Sequence, residues 1–223
     1  MTREEVARKI REIGVVPVVR ATSARHAQMA AEAVSSGGIP IAEVTMTVPG
    51  AIELIAQLAS TIGREVLIGA GTVLDAQTAA RCLDAGAQFV VSPGFDPATI
   101  AFVKGRGVLI MAGALTPTEV IGAWKAGSDF VKIFPCGAMG GAKYIKALKG
   151  PLPQVPMIPT GGVNLETAAD LIRAGSEALG IGGELVSGAA LAAGDTKSIT
   201  EAARKYVGIV QETRKQISLK TAS

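Results

Sequence analysis

The sequence has one histidine, His26, and two cysteines, Cys82 and Cys136. A single imidazole excludes chemistry that needs two, including most zinc sites and the HExxH type. A Ser-His-Asp triad is disfavoured as well, because His26 lies early in the helical stretch "SARHAQMAAEAVSSGG" and reads as a helix-face residue. The cysteines lack CxxC spacing, which points to reduced thiols in a cytoplasmic protein. Aromatics make up only 4% of the chain and no basic run is interleaved with them, so nucleic acid is not an expected partner. No apolar run reaches the roughly 18 residues of a membrane span. The opening "MTREEVARKIREIG" carries charges at helical spacing, unlike a signal peptide. No membrane contact, metal site or cofactor is therefore expected.

What the chain has in quantity is small and branched apolar residues. Hydrophobic residues are 48% of the 223 and charged ones 18%, with a net charge of +3. That composition supports a sizeable core and suits strands covered on both faces.

One pattern recurs in "EAVSSGGIPIAEVTM", "CLDAGAQFVVSPGF", "AWKAGSDFVKIFPC" and "LIRAGSEALGIGGE". Each copy is a helical stretch stopped by glycine and followed by a near-continuously apolar strand, which is a βα repeat. Further strands over 14–20, 64–72, 107–115 and 155–162 bring the total to eight. Helices are expected over 23–36, 50–61, 75–85, 96–104, 116–126, 140–147, 164–174 and 197–215, with an additional one at 2–12. The tail "QISLKTAS" is expected to fray. This alternation predicts an α/β (β/α)8 TIM barrel with an extra N-terminal helix, as one domain spanning 1–223. The alternative, a doubly wound open sheet, usually carries GxGxxG after its first strand, and that motif is absent after "VVPVVR".

Active sites of such barrels lie at the C-terminal ends of the strands. Two charged residues interrupt otherwise apolar strands: Glu43 in "IPIAEVTM" and Lys132 in "DFVKIF". Either alone is readable as an outward-facing residue under a helix. Together they offset each other's burial, which an isolated charge cannot do. Burial disfavours an ammonium, and a neutral amine attacks carbonyls to form a Schiff base. A neighbouring carboxylate can move the protons. The pair suffices for metal-free aldol cleavage. "PTGGVN" (159–164) and "GIGGEL" (180–185) place consecutive glycines after strands 7 and 8, the usual phosphate site of these barrels.

The motifs "EVT…VPGA" (43–51), "IGAGTV" (68–73), "VSPG" (91–94), "KIFP" (132–135), "YIKALKGP" (144–151) and "PTGGV" (159–163) resemble the 2-keto-3-deoxy-6-phosphogluconate (KDPG) aldolases, also called 4-hydroxy-2-oxoglutarate (KHG) aldolases. The resemblance covers nearly the whole chain. It implies a class I, Schiff-base aldolase of the Entner–Doudoroff type that releases pyruvate, acts on a small-molecule 2-keto acid and an aldehyde phosphate, and forms a homotrimer. By motif match, Lys132 is the Schiff-base lysine and Glu43 the general acid/base. Thr72, Pro93, Phe134 and Thr160 correspond to substrate-pocket residues, and Gly161, Gly162, Gly182 and Gly183 to a phosphate cradle.

Two positions depart from the family pattern. Many members carry "EVTLRT", whose Arg holds the pyruvate carboxylate; this chain has Thr47 there, and Arg20 at the end of strand 1 is the expected replacement. Many members also have Ser in the last loop, where this chain has Gly183 and then Glu184. Plainer readings stand beside these roles. Thr72 and Thr160 could be helix N-caps, Phe134 core, and Pro93 a strand stop. Lys143, Lys146 and Lys149 read as a solvated helix face, Trp124 as a packing or interface residue, and Cys136 as packing. The other functional readings are a galactonate-type aldolase, a barrel isomerase, epimerase or decarboxylase, and a barrel that binds a sugar phosphate without turning it over.

Overall fold

The strands are apolar enough to be buried on both faces, and all eight are parallel members of one sheet. The computed structural model describes residues 1–221. The strands are β1 (Val15–Val19), β2 (Ile41–Thr45), β3 (Leu67–Gly71), β4 (Phe89–Val91), β5 (Leu109–Ala114), β6 (Phe130–Ile133), β7 (Met157–Pro159) and β8 (Leu179–Ile181). Their order is β7-β6-β5-β4-β3-β2-β1-β8, and a single parallel bridge between Thr160 and Gly180 joins the two ends. The result is the (β/α)8 barrel. The four repeat copies share one backbone device: Gly38, Gly86, Gly127 and Gly175 have φ of +93°, +99°, +94° and +98°. Only glycine adopts that region freely, so each helix stops and the chain turns into the next strand.

The outer helices are α2 (Ala24–Ser36), α3 (Ala51–Thr61), α4 (Ala76–Asp84), α5 (Pro97–Gly105), α6 (Pro117–Lys125), α7 (Ala142–Lys149), α8 (Ala168–Arg173), α9 (Gly188–Ala193) and α10 (Thr196–Thr221). Several carry polar starts, as at Ser23, Asp75 and Asp96; Thr116 forms a capping box with Glu119. The extra helix α1 (Arg3–Ile13) lies across the N-terminal ends of the strands. Arg3 Nε donates to Asp129 Oδ1 at 2.6 Å, just before β6. Lys9 Nζ donates to the Glu65 carbonyl before β3, and Arg11 pairs with Glu177 before β8 at 3.5 Å. Arg11 also lies 4.8 Å from the Phe130 ring centroid.

Three expectations are corrected. The last helix does not end at residue 215: α10 continues to Thr221, and Arg173 donates to Gln216 from α8. Residues 222–223 of the tail lie outside the described residues. The short helix α9 was not anticipated; six residues are too few for a periodic signal. Lys149 is not part of a solvated face, because its Nζ donates to the Val155 carbonyl at 2.7 Å and ties down the loop into β7.

Candidate active site

Glu43 on β2 and Lys132 on β6 sit on strands four places apart in an eight-stranded barrel, so they face each other across its interior. Their exposures are 2% and 5%, and Lys132 Nζ lies 3.7 Å from Glu43 Oε1. At that distance the contact is an ion pair, and Oε1 has no hydrogen-bond partner among the described residues. Burial pushes the Glu43 carboxyl above its ordinary value, while Lys132 and then Arg20 pull it back. The outward-facing reading of either residue is excluded.

Glycines on the flanking strands make the room. A Cβ on Gly71, at the end of β3, would collide with the Glu43 carboxylate. Gly113 is the register partner of Lys132 on β5, and a Cβ there would collide with the Pro93–Gly94 backbone. Pro93 therefore leans over the strand beside the lysine instead of merely ending β4. Neither Gly71 nor Gly113 stood out from the sequence. The available signal was glycine inside the strands "LIGAG" and "LIMAGA", where close approach of another group is the usual reason.

Phe134 is half-buried and not core: its ring centroid lies 5.4 Å from Lys132 Nζ. The ring also forms part of the wall of a cleft of about 250 Å³ lined by Arg20, Thr160, Gly161, Gly162, Gly182 and Gly183, together with Glu184 and three further residues. Phe134 thus joins the buried ion pair to the open cleft. Lys132, Glu43, Thr72 and Pro93 do not line that cleft. Gly161 and Gly162 have φ of +84° and +77°, and Gly137 N donates to the Gly161 carbonyl at 2.8 Å, locking the loops after β6 and β7 together.

The N-cap reading fails for both threonines. Thr72 has φ +59°, the only left-handed non-glycine residue among those described, while Asp75 caps α4. A β-branched residue in that region is strained, a feature that concentrates at functional sites. Thr160 is buried at the β7–β8 seam, against Gly180. Thr45, in the motif "EVT", is fully buried; its Oγ1 lies 3.2 Å from the Val19 carbonyl and 2.7 Å from Thr47 Oγ1. With one proton on Thr45, the sequence runs Thr47 O–H to Thr45 and Thr45 O–H to Val19, which fixes the end of β1 just before Arg20. Arg20 itself is exposed and shares a second cavity with Thr47.

Other residues singled out in the sequence lie away from the pair. His26 lies on α2 with its ring against Thr22, and Trp124 is 38% exposed on α6. Cys136 is buried and its thiol is pushed up to about 11 by burial, so it is inert packing.

The family model for "KDPG and KHG aldolase" matches residues 6–202 of this chain. The chain belongs to the KDPG and KHG aldolase family. A 2-dehydro-3-deoxy-phosphogluconate aldolase of Treponema pallidum is 38% identical over 90% of this chain and 95% of that one. A KHG/KDPG aldolase of Escherichia coli K12 is also 38% identical, over 86% and 90% respectively. Among solved structures, a KDPG aldolase from Legionella pneumophila, crystallised with pyruvate captured as a covalent carbinolamine intermediate, is 31% identical. It superposes with a TM-score of 0.82 over 89% of this chain and 96% of that one.

Proposed function

We propose that the chain is a class I aldolase that cleaves 2-keto-3-deoxy-6-phosphogluconate to pyruvate and glyceraldehyde 3-phosphate and also acts on 4-hydroxy-2-oxoglutarate. The observation that carries the reading is the buried Lys132–Glu43 pair at 3.7 Å. The Lys132 amine adds to the C2 carbonyl, and the carbinolamine loses water to give the protonated imine. The Glu43 carboxylate removes the C4 hydroxyl proton. The C3–C4 bond breaks, C4 leaves as the aldehyde, and the bonding electrons pass into the imine to form an enamine. Glu43 returns the proton to C3, and water hydrolyses the imine to free pyruvate and Lys132. A carboxyl held above its ordinary value by burial suits a group that must both take and give a proton.

In this reading Arg20 forks the pyruvate carboxylate in place of the arginine that Thr47 replaces, with Thr72 beside it. Pro93, Phe134 and Thr160 shape the pocket, and Gly161, Gly162, Gly182 and Gly183 cradle the phosphate through backbone N–H groups. We further propose one (β/α)8 domain working in the cytoplasm as a homotrimer. The exposed Phe95, which packs against Gly122 of α6, and the exposed Trp124 on the same helix support association, and no helix among the described residues is long and apolar enough to cross a membrane.

The test is borohydride reduction in the presence of pyruvate. One pyruvate per chain should be trapped on Lys132, and Lys132→Met should abolish trapping while the protein stays folded. Trapping on another lysine, or none in the unaltered protein, would refute the assignment.

A further inference from the structure

The anion end of the cleft contains an anion of its own. Glu184 follows the second glycine pair and forms part of the same wall as Arg20, Gly161 and Gly182. The loop that presents it is anchored from behind, because Leu185 and Val186 are buried and their N–H groups both donate to the Gly182 carbonyl, at 3.0 and 2.8 Å. Its charge is also felt inward. Tyr206 of α10 is buried with its hydroxyl unpartnered, and its pKa is pushed up to about 12, by burial first and by the Glu184 carboxylate second. Glu184 lines the cleft, and among the described residues no basic side chain forms an ion pair with it.

We propose that Glu184 is a specificity-determining residue: its carboxylate at the glycine cradle weakens the preference for substrates ending in phosphate, so that the chain turns over 2-keto-3-deoxy acids with an uncharged hydroxyl end as well. A phosphate carries close to two negative charges at neutral pH, and the exposed Glu184 carboxylate at the rim of the cleft opposes it as a like charge, screened in part by solvent. A hydroxyl end meets no such repulsion and can donate a hydrogen bond to the carboxylate. This inference rests on the aldolase reading.

The experiment compares 2-keto-3-deoxy-6-phosphogluconate with its unphosphorylated counterpart, 2-keto-3-deoxygluconate, by pyruvate release. The kcat/KM ratio, phosphorylated over unphosphorylated, should rise roughly threefold to tenfold in Glu184→Gln and in Glu184→Ala, as expected for one partly screened charge. Raised salt should shrink the difference between these variants and the unaltered protein. An unchanged or lowered ratio in both variants overturns the proposal. A rise confined to Glu184→Gln would reflect a new amide contact and overturn it too. Borohydride trapping of pyruvate on the unaltered protein separates the two levels: intact trapping with an unchanged ratio removes only the role of Glu184, whereas absent trapping removes the aldolase reading itself.

Discussion

Glu43 needs both its burial and the space beside it. Burial raises its affinity for a proton, and the cations Lys132 and Arg20 oppose this. In Glu43→Gln, the amide keeps the shape and loses the proton transfer, so turnover should fall about 10²- to 10⁴-fold while slow trapping with pyruvate persists. Near-normal turnover would take Glu43 out of the mechanism. Gly71 sets where that carboxylate can sit, because a Cβ there would collide with it. Gly71→Ala should therefore lower kcat with less effect on trapping of pyruvate by Lys132; a variant with unchanged kcat would show that the carboxylate has room to move. Glu43 and Lys132 were legible in the sequence because a charge inside an apolar strand demands a partner. Gly71 and Gly113 were not, because a glycine in a strand says that something approaches closely without saying what.

The helices hold their places around the barrel by local chemistry that acid should weaken. Glu119 Oε2 accepts from Leu115 N, Thr116 N and Thr116 Oγ1, and these bonds, the Thr116 N–H first, hold its carboxyl below the usual 4.5. Asp96 is depressed in the same way by Thr99, side chain and then backbone. A depressed folded-state value means stability that is present above the ordinary value and lost as pH falls through the folded one. Melting temperature should therefore drop on acidification below the ordinary carboxylate range, and Glu119→Gln should flatten that drop while lowering the melting temperature at neutral pH. An identical acid profile in the variant would dissociate the cap from acid sensitivity. These caps have a local signature in "LTPTE" and "DPAT", where Thr or Asp precedes Pro at the first helical position, although the only caps expected from the sequence were Thr72 and Thr160. The six-residue α9 and the continuation of α10 to Thr221 have no such signature, because their extent is set by packing against α2 and α8 and not by local propensity.

At the scale of the molecule, function and stability occupy opposite ends of the barrel. Asp129 holds Arg3 of α1 through one oxygen and the Ile110 N–H through the other. Asp129→Ala should cost about 1–3 kcal/mol by leaving a part-buried N–H unpaired, read as a lower denaturant midpoint, with pyruvate trapping by the still-folded variant intact. Loss of trapping there would tie the α1 end to the site. The sequence by itself determined the barrel, since eight apolar strands separated by glycine-stopped helices have few other ways to bury both faces. It also singled out the reactive pair. Only the tertiary structure decided that Lys132 and Glu43 stand 3.7 Å apart, that Thr72 is strained while Asp75 takes the cap, that Thr45 and Thr47 hold the strand end before Arg20, and that Glu184 shares the cleft with the glycine loops. Those facts depend on which strands become neighbours when the sheet closes, and closure brings together residues far apart in the chain that no local pattern relates.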